Sequence, residues 1–198
     1  MKVGVLALQG DFREHGAVVR SLGAEVVEVR LPEHLDGLDA LIIPGGESTT
    51  IGRLAGLYGL LEPMAEVIES GLPVLGTCAG MIVLATGTTE GDQAQLGVLD
   101  VVVRRNAFGR QVDSYEAPIP VSGWDEPITG VFIRAPWIAK AGDDVEILAT
   151  VDDELSGDAR PVFVRQRNVI ATAFHPELTD DARVHEMLLS MAAAAKEL

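Results

Sequence analysis

A single cysteine, Cys78, stands in 198 residues, so no internal disulfide can form. A lone thiol suits a reducing compartment better than a secreted scaffold, and a cytoplasmic protein is expected. Cations are scarce too. Fifteen Lys+Arg face 30 Asp+Glu, for a formal charge of -15, a balance that repels phosphate backbones and anionic lipid heads. Neither nucleic acid nor a membrane surface is therefore an expected partner. Long apolar runs are missing: although 47% of residues are hydrophobic, none of the runs approaches the roughly 18 positions of a spanning helix. The opening Met1 to Leu6 reads as a strand, not a signal peptide. Aromatics amount to 5%, which leaves the core to Val, Leu, Ile and Ala, the composition of a parallel sheet covered on both faces by helices. Repeats, low-complexity tracts and long linkers are absent. One domain over residues 1–198 is expected, large enough to bury about 70% of the surface of its unfolded chain.

What is present is an alternation of short apolar runs and helical spacing. Val3 to Leu8 is apolar on both faces and stops at Gln9-Gly10, as a doubly buried strand does. A helix over 11–22 follows, with Gly23 as its stop. Strands are predicted at Glu25 to Val29 and Leu38 to Ile43 around a Pro32 loop, helices at Ser48 to Leu57 and Pro63 to Glu69, and then a strand at Val74 to Gly76 leading into a helix through Ala85. Beyond about residue 95 the segments become short and alternating: Gly97 to Arg104, Tyr115 to Val121, Gly130 to Arg134, Val145 to Val151, Pro161 to Arg165 and Val169 to Phe174. The last helix, Asp180 to Glu197, carries an apolar stripe and caps at Thr179, Asp180 and Asp181. The fold class is thus α/β: a mostly parallel twisted sheet, helices on both faces, and antiparallel additions in the second half. In such a sheet the active site lies at the carboxyl ends of the strands.

Gly76-Thr77-Cys78-Ala79-Gly80 is a G-x-C-x-G sequence between an apolar strand and an apolar helix, the nucleophile-elbow arrangement with sulfur in place of oxygen. A sharp strand-to-helix turn strains the nucleophile and projects it into a cleft, the flanking glycines avoid clashes, and a helix N-terminus favours a thiolate. The N–H of Ala79 can face an oxyanion. A free cysteine is otherwise an ordinary buried hydrophobe. In His175-Pro176-Glu177, proline holds His175 extended, and residues two apart in an extended segment share a side, so the carboxylate of Glu177 can orient the imidazole. Cys78, His175 and Glu177 would form a triad. Pro44-Gly45-Gly46-Glu47-Ser48 lacks the phosphate-loop pattern; its paired glycines can lend a second N–H to an oxyanion hole, or can simply be a turn before a Ser or Thr helix cap. Of the remaining histidines, His34 reads as solvated and His15 and His185 as structural or interfacial, with little support for a metal site.

Taken in order, Leu8-Gln9-Gly10 with Glu14-His15, Pro44 to Thr49, Gly76 to Gly80, Arg105-Asn106 with Phe108-Gly109-Arg110-Gln111, Phe132 to Pro136, and His175 to Thr179 carry a resemblance over essentially the whole chain. The chain resembles the class I (triad-type) glutamine amidotransferases, with their three-layer flavodoxin-like fold, and among them the glutaminase subunits of pyridoxal 5′-phosphate synthases. The Arg105 to Gln111 and Phe132 to Pro136 segments narrow it to that group. The resemblance implies hydrolysis of L-glutamine to glutamate and ammonia, the ammonia passing to a separate synthase (lyase) subunit in a hetero-oligomer. Pyridoxal 5′-phosphate is then that complex's product, and no cofactor is expected in this chain. It also implies Cys78 as nucleophile, His175 as base and acid, and Glu177 as the orienting carboxylate. Gly46 and Ala79 would supply the oxyanion hole; Gly46, Glu47, Ser48, Arg105, Ile133 and Arg134 would bind glutamine; Gln9 would lie near the active site and the synthase contact. A length of 198 residues fits the glutaminase unit alone, so a second chain is expected to use the ammonia. Two rivals stay open on sequence: another cysteine hydrolase on a similar sheet, and a silent subunit that only binds a partner.

Overall fold

The computed structural model describes residues 1–91, 93–105, 114–152 and 157–197. Asn106 and the Phe108 to Gln111 stretch lie outside them. The first half is a run of βα units: β1 (Lys2–Leu6), α1 (Phe12–Ser21), β2 (Glu25–Val29), β3 (Ala40–Ile43), α2 (Ser48–Leu57), α3 (Leu61–Glu69), β4 (Val74–Thr77) and α4 (Ala79–Leu84). The second half supplies β5 (Ala85–Thr88), β6 (Leu99–Arg104), β7 (Ser114–Ile119), β8 (Ile128–Ile133), β9 (Trp137–Ala141), β10 (Glu146–Asp152), β11 (Ala159–Gln166), β12 (Val169–Thr172) and the closing helix α5 (Arg183–Ala195).

Seven strands make the main sheet in the order β10-β11-β12-β4-β3-β1-β2. From β12 to β2 all neighbours are parallel, while β11 pairs antiparallel with both β10 and β12. The four inner strands β1, β3, β4 and β12 read as unbroken apolar runs because helices cover both of their faces; Val5, Leu41, Ile42, Leu75 and Ile170 are fully buried. Burying each such side chain contributes roughly 1.5–3 kcal/mol. Helices α1 and α5 share one face, where their histidines touch, and α2 packs on α4 across the other. The chain leaves β1 for β2 on one side and returns to β3 on the other, so the switch point, where α/β sheets open a crevice, lies between β1 and β3.

Register places the site. Ile43, Gly76 and Ala171 pair in one row across β3, β4 and β12. The residues just beyond that row, Gly45-Gly46, Cys78 and His175, therefore emerge on the same edge of the sheet. The ends of β6, β8 and β9 meet that edge, since Arg105, Ile133, Arg134 and Pro136 line one cavity with Gly46 and Cys78. Val131 of β8 accepts the backbone N–H of His175 at 2.9 Å. Phe174 stacks edge-on to Phe132 and Phe163 with centroids 5.8 and 6.1 Å away, so three of the few aromatic rings pin the ribbon and β11 to the chain just before His175.

Several expected boundaries differ. The elbow helix ends at Leu84, and Ala85–Thr88 leaves it as β5; Trp137–Ala141, not expected as a strand, pairs with β6. The Pro32 loop holds a single 3-10 turn, Pro32–Leu35. The closing helix begins at Arg183 with Ala182 in the capping position, while the Asp181 carboxylate accepts the N–H of Arg183 at 3.1 Å from just outside. Strand β12 stops at Thr172, because Pro176 starts a second 3-10 turn, Pro176–Leu178.

Candidate active site

Cys78 sits at the end of β4 with φ 49 and ψ -103, one of three non-glycine residues with positive φ among the described residues. Such a backbone costs about 1–3 kcal/mol and persists only where its surroundings impose it. Here they do: the Cys78 N–H donates to Thr172 of β12 at 2.7 Å, and a Cβ on Gly80 would strike the carbonyl of Ile43. The glycine after the cysteine is therefore required by the close approach of β3, which lets α4 start within a residue of the strand. The sulfur ends 4.0 Å from the carbonyl oxygen of Ile133 on β8.

His175 arrives from the neighbouring strand, 4% exposed, and its Nδ1 lies 2.7 Å from Glu177 Oε1 and 3.3 Å from Asp11 Oδ2. The pairing with Glu177 was expected from an extended segment. It is made instead across the 3-10 turn, with Pro176 at its first position and Glu177 at its second. Gly45 forms the floor beneath the ring, since a Cβ there would meet the imidazole Cε1. Burial works against a charged ring, but hydrogen bonds with Asp11, Cys78 and Glu177 outweigh it and raise the His175 pKa. Burial likewise raises that of Glu177, opposed by its bond to His175. Asp11, His175 and Glu177 each bring one possible ligand atom within 4.8 Å of the others, the one such group among the described residues. Within it, His175 Nδ1 is paired with Glu177 Oε1 at 2.7 Å.

Opposite the imidazole lies a cavity of about 100 Å3, lined by Gly46, Glu47, Ser48, Cys78, Ala79, Ile82, Arg105, Ile133, Arg134 and Pro136. Every residue expected in the oxyanion hole or around glutamine is in that lining. Glu47 does more than line it. In place of the expected Ser or Thr, Glu47 caps α2, accepting from the N–H groups of Thr49 (3.0 Å) and Thr50 (2.7 Å) and from the Thr50 hydroxyl (2.6 Å). These bonds, led by the Thr50 hydroxyl, hold its carboxyl down to about 2. Arg105 Nη2 stands 3.4 Å from the same carboxylate, so these two opposite charges meet each other across the pocket mouth. Gln93 accepts from both Ser48 (3.3 Å) and Arg105 (3.2 Å). Gln9, beyond the end of β1, accepts the Glu47 N–H at 2.7 Å and so fixes the Gly45-Gly46 turn, beside the cavity but outside its lining.

The sequence matches the SNO glutamine amidotransferase family over residues 5–194. The chain belongs to that family. Relatives include the pyridoxal 5′-phosphate synthase subunit PdxT of Mycobacteroides abscessus, 53% identical over 194 residues that cover 97% of each chain. The protein of the same name in Parafrankia sp. is 55% identical over 96% of this chain and 92% of its own. A crystal structure of a glutamine amidotransferase superposes with a TM-score of 0.90 at 52% identity, covering 96% of this chain and 98% of the other. A putative GMP synthase component from Thermoplasma acidophilum, 20% identical with a TM-score of 0.69 over 100% of this chain and 96% of its own, shares the fold. As a family member, this chain is an α/β glutamine amidotransferase.

Three side chains next to His175 and Glu177 were not expected as site residues. Asp11, at the head of α1, reaches His175 Nδ1 at 3.3 Å. His15 and His185 lie behind Glu177, both fully buried, with His15 Nδ1 2.9 Å from His185 Nε2, and His15 Nε2 3.0 Å from Thr77 Oγ1 and 3.4 Å from Glu177 Oε2. His34, expected in solvent, is half-buried and accepts the Arg30 N–H at 3.1 Å. No helix among the described residues is long and apolar enough to cross a membrane.

Proposed function

We propose that this family member is the glutaminase of a cytoplasmic pyridoxal 5′-phosphate synthase, acting as one domain. It would hydrolyse L-glutamine and deliver ammonia to a separate synthase subunit. The observation that carries the mechanism is a thiol in a strained elbow beside an imidazole whose far nitrogen is 2.7 Å from a buried carboxylate. The shared name of relatives that are 53–55% identical over nearly the whole chain supports the assignment to that synthase.

In this reaction the sulfur of Cys78 attacks the carboxamide carbon of glutamine, with His175 holding the thiol proton. The C=O electron pair moves to oxygen, and the oxyanion is held by the N–H groups of Gly46 and Ala79. Collapse of the tetrahedral species breaks the C–N bond. His175 gives its proton to the leaving nitrogen, and ammonia departs, leaving a glutamyl thioester. Water, losing a proton to His175, then attacks the thioester carbon, and glutamate leaves as the thiol is restored. A raised pKa suits His175 to the first part, since the imidazolium is the form that protonates the leaving nitrogen. Glu177 fixes the ring and balances its charge. Arg105 and Arg134 offer cations to the α-carboxylate, and Glu47, kept ionised by its capping bonds, offers an anion to the α-ammonium. Because Glu47 and Arg105 already face each other, a zwitterionic ligand would exchange one ion pair for two. The expected synthase contact lies at Gln9, whose bond to Glu47 couples the outer surface to the Gly46 turn.

Ammonia release from L-glutamine by wild type and by Cys78→Ala, each with the candidate synthase subunit, tests this. Wild type should release ammonia and Cys78→Ala none above background. Equal rates would overturn the glutaminase reading, and failure of glutamine to support pyridoxal 5′-phosphate formation would overturn the choice of synthase.

A further inference from the structure

Behind Glu177 the polar contacts continue into the protein, through His15 to His185, and end at a buried His185 Nδ1 that has no hydrogen-bond partner. A neutral imidazole carries one N–H and one lone pair, so the short His15–His185 contact allows two arrangements. In one, His15 Nδ1–H donates to His185 Nε2. The lone pair of His15 Nε2 then faces the Glu177 carboxylate, and His185 is left with a buried N–H that bonds to nothing. In the other, His185 Nε2–H donates to His15 Nδ1. His15 then presents Nε2–H to Thr77 at 3.0 Å and, as a longer second branch, to Glu177 Oε2 at 3.4 Å, and the orphan on His185 is only a lone pair. A stranded buried N–H is the costlier defect, and a lone pair set against a carboxylate is repulsive. The second arrangement prevails.

We propose that His15, held in its Nε2–H form by His185, is a positioning residue for the triad. It supplies the donor that faces the second oxygen of Glu177 and keeps that carboxylate ionised and turned toward His175. Two rings then clamp one carboxylate, His175 through Oε1 and His15 through Oε2. Glu177 Oε2 is buried and has no full hydrogen bond of its own, so losing His15 would leave it with no donor nearby. The titratable groups facing Glu177 are Asp11 from the head of α1, His15 from α1, His175, with Cys78 beyond it, and His185 from α5 behind His15. Burial and Asp11 oppose its ionisation and His175 favours it; His15 and His185 are kept neutral by burial and act as dipoles.

The inference rests on the triad reading, and its test needs neither glutamine nor a synthase subunit: the rate of Cys78 alkylation by iodoacetamide, followed by mass spectrometry across pH. Without His15 the Glu177 carboxyl takes a proton at higher pH, His175 loses its counter-charge, and the acid limb of alkylation moves upward. For His15→Leu a displacement of one pH unit is expected, which is about a tenfold slower reaction on that limb. His15→Gln, whose amide N–H can take the place of Nε2–H, should recover most of it. A folded His15→Leu protein with the wild-type limb would overturn the proposal, as would a His15→Gln limb no better than that of His15→Leu. If His15→Leu does not fold, nitrogen NMR of histidine-labelled wild type decides: His15 and His185 should both carry the proton on Nε2, and a proton on Nδ1 of His15 would overturn it.

Discussion

The two sides of Cys78 are built on opposite principles. On the sheet side, His175, Glu177, Thr77, His15 and His185 are all at most 6% exposed and form an unbroken chain of contacts from 2.7 to 3.4 Å. On the pocket side, Glu47, Arg105 and Arg134 carry full charges at the surface, and the Glu47–Arg105 pair is about half exposed on the acid's part. In a dry environment each polar contact is worth more and each unmet one costs more. At a wet rim an ion pair contributes about 0–1 kcal/mol and can be exchanged for a ligand's charges. Under the proposed mechanism the chemistry thus sits where geometry is enforced, and recognition where partners can be swapped.

Glu177→Gln should break the buried side most severely. With its carboxylate neutral, the ring loses its orienting charge, and kcat for ammonia release should fall roughly 10^3–10^4-fold while KM for glutamine stays nearly constant. A rise in KM as the main effect would mean that the dry side also recognises the substrate. Titration sharpens the contrast further. Burial lowers the pKa of His185 from 6.5 to about 4 and that of His15 in the same direction. The unfolded chain therefore binds these protons first, and stability should be lost as pH falls from 6.5 toward 4. His185 alone accounts for about 3 kcal/mol. Glu177, raised by burial, works the other way, since its protonated form is favoured in the native state. Urea unfolding at a series of pH values should show a weaker acid dependence in His185→Leu than in wild type. The rim answers in a different window. Glu47, lowered from 4.5 to about 2, contributes stability that is lost only as pH falls through that interval.

Smaller effects belong to the rim. Arg105→Ala should raise KM for glutamine about tenfold, a loss of about 1.4 kcal/mol, with kcat little changed in steady-state assays. Glu47→Ala removes the cap of α2 and should lower stability by about 1 kcal/mol in thermal or urea melts. A kcat collapse in Arg105→Ala would erase the distinction between the two sides.

The elbow was legible because sterics write it into the sequence. Only glycine fits at position 80 against the Ile43 carbonyl, and apolar runs on either side can only be a buried strand and a buried helix. The carboxyl-end location of Gly46, Cys78 and His175 followed from the same alternation. Asp11, His15 and His185 were not legible as site residues. His15 and His185 are 170 positions apart and meet only because α1 and α5 lie on the same face of the sheet, a tertiary fact with no local period. Glu47 was recognised as a pocket residue but not as a cap, since capping preferences point to Ser48 or Thr49. The strand β5, four residues long with a glycine inside, and β9, whose burial pattern does not alternate, carry too little pattern to separate from their neighbours.

The adjacency of β4 and β12 has a consequence for how the molecule comes into being. The thiol and the imidazole stand side by side in space but nearly a hundred residues apart along the chain, and the strand that brings the imidazole is inserted between β4 and β11. Closing so long a loop is entropically unfavourable until the other strands are in place. A growing chain that already displays the cysteine has no base beside it, and the reactive pair is made only when β12 docks. Under the proposed mechanism, assembly of the sheet is in this sense the switch that arms the thiol.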